Sequence, residues 1–341
     1  MSKPFQVGEV TLNPGEKAQG VLTISEFWSD GQSLEIPYMV IRGASPGKVL
    51  YVQVAQHGSE IMGLEAVRRL LNELNPSKMS GSIIYCLPNP LAFRERTRST
   101  LFDAIPGGMN RIWPGDPEGS LTERMAYNIW SKLVTKADLV VDLHTASRIC
   151  PAWVFYEAQG VSPKATKETT ARSEEMARVF GAPMMYVETE AYGGRKTLRA
   201  CCVDEGIPAV VPELGGSGYF DEEIIQLTHR GLRNIMISAG LLEGKVELPR
   251  KQVKLEWRNN PRTFTSQASK GGIFLPSVKI GDTVSEGEKV GYIYSPRTFE
   301  ILEEPRAVQD GYVFNIRENP VVHQGDRLVA TPRILEWLEN P

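Results

Sequence analysis

Three short stretches of the chain hold side chains able to bind a metal and move a proton. The first is His57-Gly58-Ser59-Glu60, where the apolar run "KVLYVQVAQ" gives way to a helical pattern. The second is Asp142-Leu143-His144, which closes "ADLVVDLH", and the third is Glu213 in "VVPELGGSG", just ahead of a glycine-rich loop. A hydrolytic zinc site takes three protein ligands, usually His, Asp or Glu, and leaves one position open for water. With only 4 histidines in 341 residues, the choice is narrow. His57 and Glu60 stand close enough in sequence to converge on one point, and His144 ends a different strand. Strands of one sheet deliver their ends to one edge, so the three could meet there. A carboxylate that follows an apolar strand, as Glu213 does, suits a general base.

Each of these residues also has a plainer reading. His57 could be a histidine bonded to backbone at a helix start, with Glu60 favoured there by the helix dipole. His144 could be satisfied by Asp142, and Glu213 could be a surface glutamate. What favours chemistry is that three strand ends all carry ligand-type or acid–base side chains. His229, in a helical stretch, and His323, in a β-rich one, read as packing or surface residues.

The remaining concentration of charge is the stretch from Asn89 to Gly119, with Arg94, Arg96, Arg98, Asn110 and Arg111. Loops longer than about 12–15 residues are uncommon unless they work. Arginine grips carboxylates through two parallel hydrogen bonds and stabilises oxyanions. Arg94 and Arg96 read as solvated.

The elements that must position these groups alternate. After a short β lead-in over residues 1–45, strand-like and helix-like runs follow one another to about residue 250, with a capping box at Ser120-Leu-Thr-Glu123 and glycine stops at Gly181 and Gly206. The pattern predicts an α/β domain over 1–250, a mixed sheet flanked by helices. Residues 251–268 are charged and weakly periodic and read partly as a linker. From there to 341 only β signals remain, in two similar halves around "GDTVSEGEKVGYI" and "GDRLVAT", which predicts a smaller all-β domain of sandwich or barrel type over 251–341.

Composition sets the outer bounds. A net charge of -3, with 23% charged residues, lacks the basic field that nucleic acid or anionic lipid requires, so the expected partner is a small polar molecule. No run approaches the roughly 18 apolar residues of a membrane helix, and the start of the chain has no apolar leader, which predicts a soluble, cytoplasmic protein. Cys86, Cys150, Cys201 and Cys202 have no CxxC spacing and read as reduced, mostly buried thiols. Homo-oligomerisation is left open.

Taken in order, His57-Gly-Ser-Glu60, Asn89-Pro90 followed by Arg98, Met109-Asn110-Arg111, Asp142-Leu-His144 and Pro212-Glu213-Leu-Gly-Gly resemble the succinylglutamate desuccinylase/aspartoacylase family, relatives of the zinc carboxypeptidases. The resemblance runs over roughly residues 35 to 335. It implies a zinc-carboxypeptidase-like fold with one zinc ion per chain, held by His57, Glu60 and His144, and Glu213 as the base that activates water. It further implies that Arg98 polarises the scissile carbonyl, that Asn110 and Arg111 bind the substrate carboxylate, and that Arg199 in "TLRACC" is a further substrate-binding arginine. Two departures are visible: Ser59 stands where many members carry Asp or Asn, and "STLFDAIPGGM" is longer than in aspartoacylases proper. In the H-E-x-x-H arrangement the base directly follows the first histidine; here that place is Gly58, and Glu60, as a ligand, has its lone pair committed.

The expected reaction is zinc-dependent hydrolysis of the amide of a small N-acyl amino acid, on a non-peptide C–N bond. Alternatives are a deacetylase of an N-acetylated diamino acid, a zinc carboxypeptidase acting on peptides, and a zinc-binding protein without catalysis. The β domain resembles biotinyl or lipoyl carriers, but no lysine follows Lys289 and Pro296-Arg297 stands near the turn that would carry it, which argues against a carrier.

Overall fold

The apolar runs pair into one sheet because most of them are apolar on both faces. In the strand Leu139–Ala146, Leu139, Val141 and Leu143 pack into one core while Val140 packs into another, as expected for a strand covered on both sides. The computed structural model of the protein describes residues 3–24, 30–103, 105–146, 150–191, 193–216 and 219–340; Ser217 and Gly218 of the glycine-rich loop lie outside these.

Among the described residues the main sheet has 10 strands. Its centre is a parallel group in the order Ser80–Cys86, Ser45–Val54, Leu139–Ala146 and Ala209–Gly216. Leu34–Arg42 and Lys17–Ile24 extend one side antiparallel. On the other side Trp153–Glu157 runs antiparallel to Ala209–Gly216, followed in parallel by Met184–Glu188 and Lys251–Trp257. Helices Met62–Glu73, Lys167–Phe180 and Glu222–Ser238 cover one face. Leu121–Lys132 and Leu198–Asp204 cover part of the other. Ser120 and Glu123 form the expected capping box, and Gly181 closes its helix at φ 78°.

The charged run over 251–268, read from the sequence partly as linker, begins with the strand Lys251–Trp257 in this sheet. Val253 and Leu255 alternate inward under the charges of Lys251 and Lys254. The chain then forms an all-β region of several small antiparallel sheets around Phe274, Val290, Ile293, Val313 and Val329, and returns as Ile334–Glu339 to pair antiparallel with Lys251–Trp257. The β region packs on the open part of the helix-poor face, where Phe314 lies 4.8 Å, centroid to centroid, from both Trp153 and Tyr186. Among the described residues no helix is long and apolar enough to cross a membrane.

Candidate active site

His57 and Glu60 converge because the chain turns sharply as it leaves Ser45–Val54, with the Glu60 amide donating to the His57 carbonyl at 2.9 Å. The turn is wedged against the short helix Pro90–Glu95. A Cβ on Gly58 would come within 2.0 Å of the Ala92 carbonyl carbon, so a side chain at this position has no room. Asn89 locks that helix in place: its side chain caps Ala92 N at 3.1 Å and donates to the Gln56 carbonyl at 3.2 Å. Just past the helix, Arg98 donates to the Glu60 carboxylate.

His144 arrives from the neighbouring strand. One ligand atom each from His57, Glu60 and His144 lies within 4.8 Å of the other two, and all three residues are buried. Glu60 lies 2.7 Å from His144 Nδ1 and 2.9 Å from His57 Nδ1. The second contact is not aligned as a hydrogen bond, and both ring nitrogens of His57 are buried without a hydrogen-bond partner. Buried polar atoms normally find partners, so an unpaired imidazole facing a carboxylate and a second imidazole is a donor set that fits a metal ion. Burial lowers the His57 pKa, which favours the neutral imidazole with one ring nitrogen's lone pair available.

Behind this group runs a buried polar ladder on one face of the sheet. The Tyr51 hydroxyl donates to Gln53 at 2.9 Å, Gln53 donates to Asp142 at 2.8 Å, and Asp142 lies 3.1 Å from His144 Nε2. Trp113 holds Gln56 at 2.7 Å beside the same imidazole. Asp142 thus orients His144 with Nδ1 facing the cluster. Burial works against a charged His144, but Asp142 and Glu60 together raise its pKa well above the ordinary value. Burial likewise pushes Glu60 up, and the two histidines outweigh it and hold its carboxyl far below the usual range.

Glu213 is the register partner of His144 across the parallel pair and stands on the same face. Burial, with Glu60 and Asp142 nearby, pushes its pKa up to about 7. It lines a cavity of about 970 Å³ together with His57, Glu60, Arg98 and His144. Asn110 and Arg111, on the short 3-10 turn Gly108–Arg111, line the same cavity. Among the described residues none from 99 to 109 does. The far wall comes from the β region, including Phe314, Asn315, Arg317 and Arg327.

Arg199 also lines this cavity, with its guanidinium engaged by two carboxylates, Glu188 and, at 3.2 Å, Glu157. Sequence reasoning passed over both glutamates. Yet "AWVFYE" and "PMMYVE" each end an apolar strand in an acid, the same signal that singled out Glu213. His229 and His323 lie outside the cavity lining, and all 4 cysteines are buried and unbridged.

The model of the succinylglutamate desuccinylase/aspartoacylase catalytic domain matches residues 46–239. An N-alpha-acetyl-L-2,4-diaminobutyric acid deacetylase from Halomonas elongata is 30% identical over 325 residues, 93% of this chain and 91% of that protein. The crystal structure of a succinylglutamate desuccinylase/aspartoacylase from Rhodobacter sphaeroides aligns with a TM-score of 0.77 at 25% identity, over 93% of this chain and 96% of that one. The product-bound ectoine utilization protein EutE (DoeB) from Ruegeria pomeroyi shares the fold, with a TM-score of 0.80 at 24% identity over 97% of this chain and 98% of that one. A catalytic-domain match over more than half of the chain, and a relative aligned nearly end to end, agree with the His-Glu-His group and its neighbouring glutamate: the chain belongs to the succinylglutamate desuccinylase/aspartoacylase family.

Proposed function

We propose that the protein is a zinc-dependent deacylase that hydrolyses the amide of a small N-acyl amino acid, releasing a carboxylate and the free amino acid. The observation that carries this reading is Glu213, in register beside His144 and facing a buried His-Glu-His group with an unpaired imidazole. His57, Glu60 and His144 would hold one zinc ion, which when bound supplies a Lewis acid that brings the pKa of water from about 16 towards about 7 and polarises a carbonyl. Asn110 and Arg111 grip the substrate carboxylate and fix where the amide lies. Arg98 turns from Glu60 to the carbonyl oxygen and offsets the negative charge that develops there. Glu213 takes a proton from the attacking water and returns it to the departing amine. Burial raises the pKa of this carboxyl in the metal-free chain, and a nearby cation favours its ionised form, the form that accepts the proton.

A second reading, an N-acetylated diamino acid as substrate, is favoured by the relative from Halomonas elongata, whose name specifies such a compound. The test is acyl release from a panel of N-acetyl and N-succinyl amino acids, alongside C-terminal peptides, by zinc-loaded protein and its Glu213→Gln variant. Expected are turnover of the acyl amino acids and a loss on the order of 1000-fold in kcat for the variant, with zinc still bound. Undiminished turnover by Glu213→Gln sinks the assignment of the base, and a preference for peptides sinks the deacylase.

A further inference from the structure

The stretch from Asn89 to Gly119 carries Arg98, Asn110 and Arg111, and it is bonded at two points to the residue that precedes His57. Near its start, the Asn89 side chain donates to the Gln56 carbonyl at 3.2 Å. Near its end, the Trp113 indole donates to Gln56 Oε1 at 2.7 Å. One glutamine therefore holds the stretch at both ends, one through its backbone and the other through its side chain. Gln56, Asn89 and Trp113 are each at most 1% exposed, so water does not compete for these bonds.

Gln56 reaches this place through an uncommon backbone. In an extended strand, residues three apart face opposite sides of the sheet. Ala55, at φ 61°, turns the chain so that Gln56 returns to the side of Gln53, which donates to it at 3.2 Å. A left-handed alanine is disfavoured, and such backbone persists where surrounding contacts fix it. An indole N–H can only donate, so Trp113 keeps the Gln56 oxygen on its own side and leaves the amide nitrogen 3.4 Å from His144 Nε2. Asn110 and Arg111 stand between two buried anchors, Met109 and Trp113. Apolar packing of Met109 has no preferred direction. The Trp113 bond does, so it sets where the turn Gly108–Arg111 stands relative to His57.

We propose that Gln56 is a positioning residue, a clasp that fixes Asn110 and Arg111 at the separation from His57, Glu60 and His144 that the substrate must span. A small displacement of a substrate-holding group is costly, because the reacting atoms must lie in register. The clasp rests on the deacylase reading above and adds what keeps the carboxylate grip aligned with the bond to be cleaved.

The experiment is a double-mutant cycle on zinc-loaded protein with Gln56→Met, Trp113→Phe and the pair, using the N-acyl amino acid that wild type cleaves best. Each single variant is expected to raise KM on the order of 10-fold, with kcat changing less, because the grip on the carboxylate is displaced and not the proton transfer. The pair is expected to lose no more than about threefold beyond either single variant, since both remove one bond. Chelator competition is expected to place the zinc affinity of Trp113→Phe within about threefold of wild type. A role in stability alone would lower the Tm and leave KM unchanged, and that result overturns the proposal. So does a pair whose losses multiply, or a zinc affinity that falls as far as kcat/KM. Hydrogen exchange of the metal-free chain reads the clasp without turnover: amides of 105–112 are expected to exchange on the order of tenfold faster in either variant, while the helix Glu222–Ser238 keeps its protection. If no acyl amino acid is cleaved, the deacylase reading fails separately and this exchange decides the clasp, with unchanged protection of 105–112 overturning it. Should Trp113→Phe not fold, Gln56→Met is read alone, and a wild-type KM or wild-type protection of 105–112 again overturns the proposal.

Discussion

His57, Glu60, His144 and Glu213 pull on one another's protons, and the direction for each follows from its surroundings. Glu213 in the folded chain has its pKa raised to about 7 from an ordinary value of 4.5, chiefly by burial. A raised carboxyl stabilises the fold below the unfolded value, where it is protonated in both states, and that contribution is lost as pH rises through the folded value. The lowered pKa of His57 pulls the other way below its ordinary value of 6.5, so the informative quantity is a difference between variants. For metal-free protein, the Tm of Glu213→Gln minus that of wild type is expected to grow between pH 5 and pH 8, and to level off above. A difference that does not change with pH would mean that Glu213 titrates normally. Added zinc should shrink the effect, because a nearby cation favours the ionised carboxylate. At this scale the sequence is legible wherever a polar group stands at the end of an apolar run. His57 and Glu60 follow one apolar strand and His144 and Glu213 stand in the last part of two others, so their meeting at one cavity could be anticipated from the chain. The ladder through Gln53 and Gln56 could not, because a glutamine inside an apolar run reads as an ordinary interruption until its neighbours across the sheet are known.

Among the elements, the short helix Pro90–Glu95 is the one that joins the His-Glu-His group to Arg98. It rests on Gly58 so closely that adding one methyl group would place carbon 2.0 Å from backbone carbon. Gly58→Ala is therefore expected to lower stability by about 3 kcal/mol and to weaken zinc retention, since either the helix or the His57 turn must move. Urea unfolding and zinc content would check this, and wild-type values for both would show that the contact is looser than described. Helices and central strands are legible in the sequence because their periodicity or their apolar runs are unbroken, as in Met62–Glu73 and Leu139–Ala146. Lys251–Trp257 is not, because only Val253 and Leu255 carry the strand signal between charged neighbours, and its place in the sheet depends on partners at Met184–Glu188 and Ile334–Glu339.

At the scale of the whole molecule, the β region supplies one wall of the cavity, while His57, Glu60, Arg98, His144 and Glu213 all line it from the α/β body. That division is legible in outline, since the β signals of the last part of the chain are distinct. The return of the chain to the main sheet is not, because nothing local in Ile334–Glu339 names its partner. Leu255 and Ile334 are register partners, and the Glu256 amide donates to the Arg333 carbonyl at 2.9 Å, so the strands on either side of the β region stand side by side where it begins and ends. The region is therefore spliced into a single hairpin, and a different module with the same pair of ends could take its place without rethreading the sheet. Replacing residues 258–332 with the corresponding part of the Rhodobacter sphaeroides relative is expected to keep zinc binding while the ranking of bulky acyl groups follows the donor; a chimera that retains this chain's ranking would locate that selectivity in the body instead. Such a hairpin would let specificity for the acyl group be inherited as an exchangeable cassette, separately from the machinery that breaks the bond.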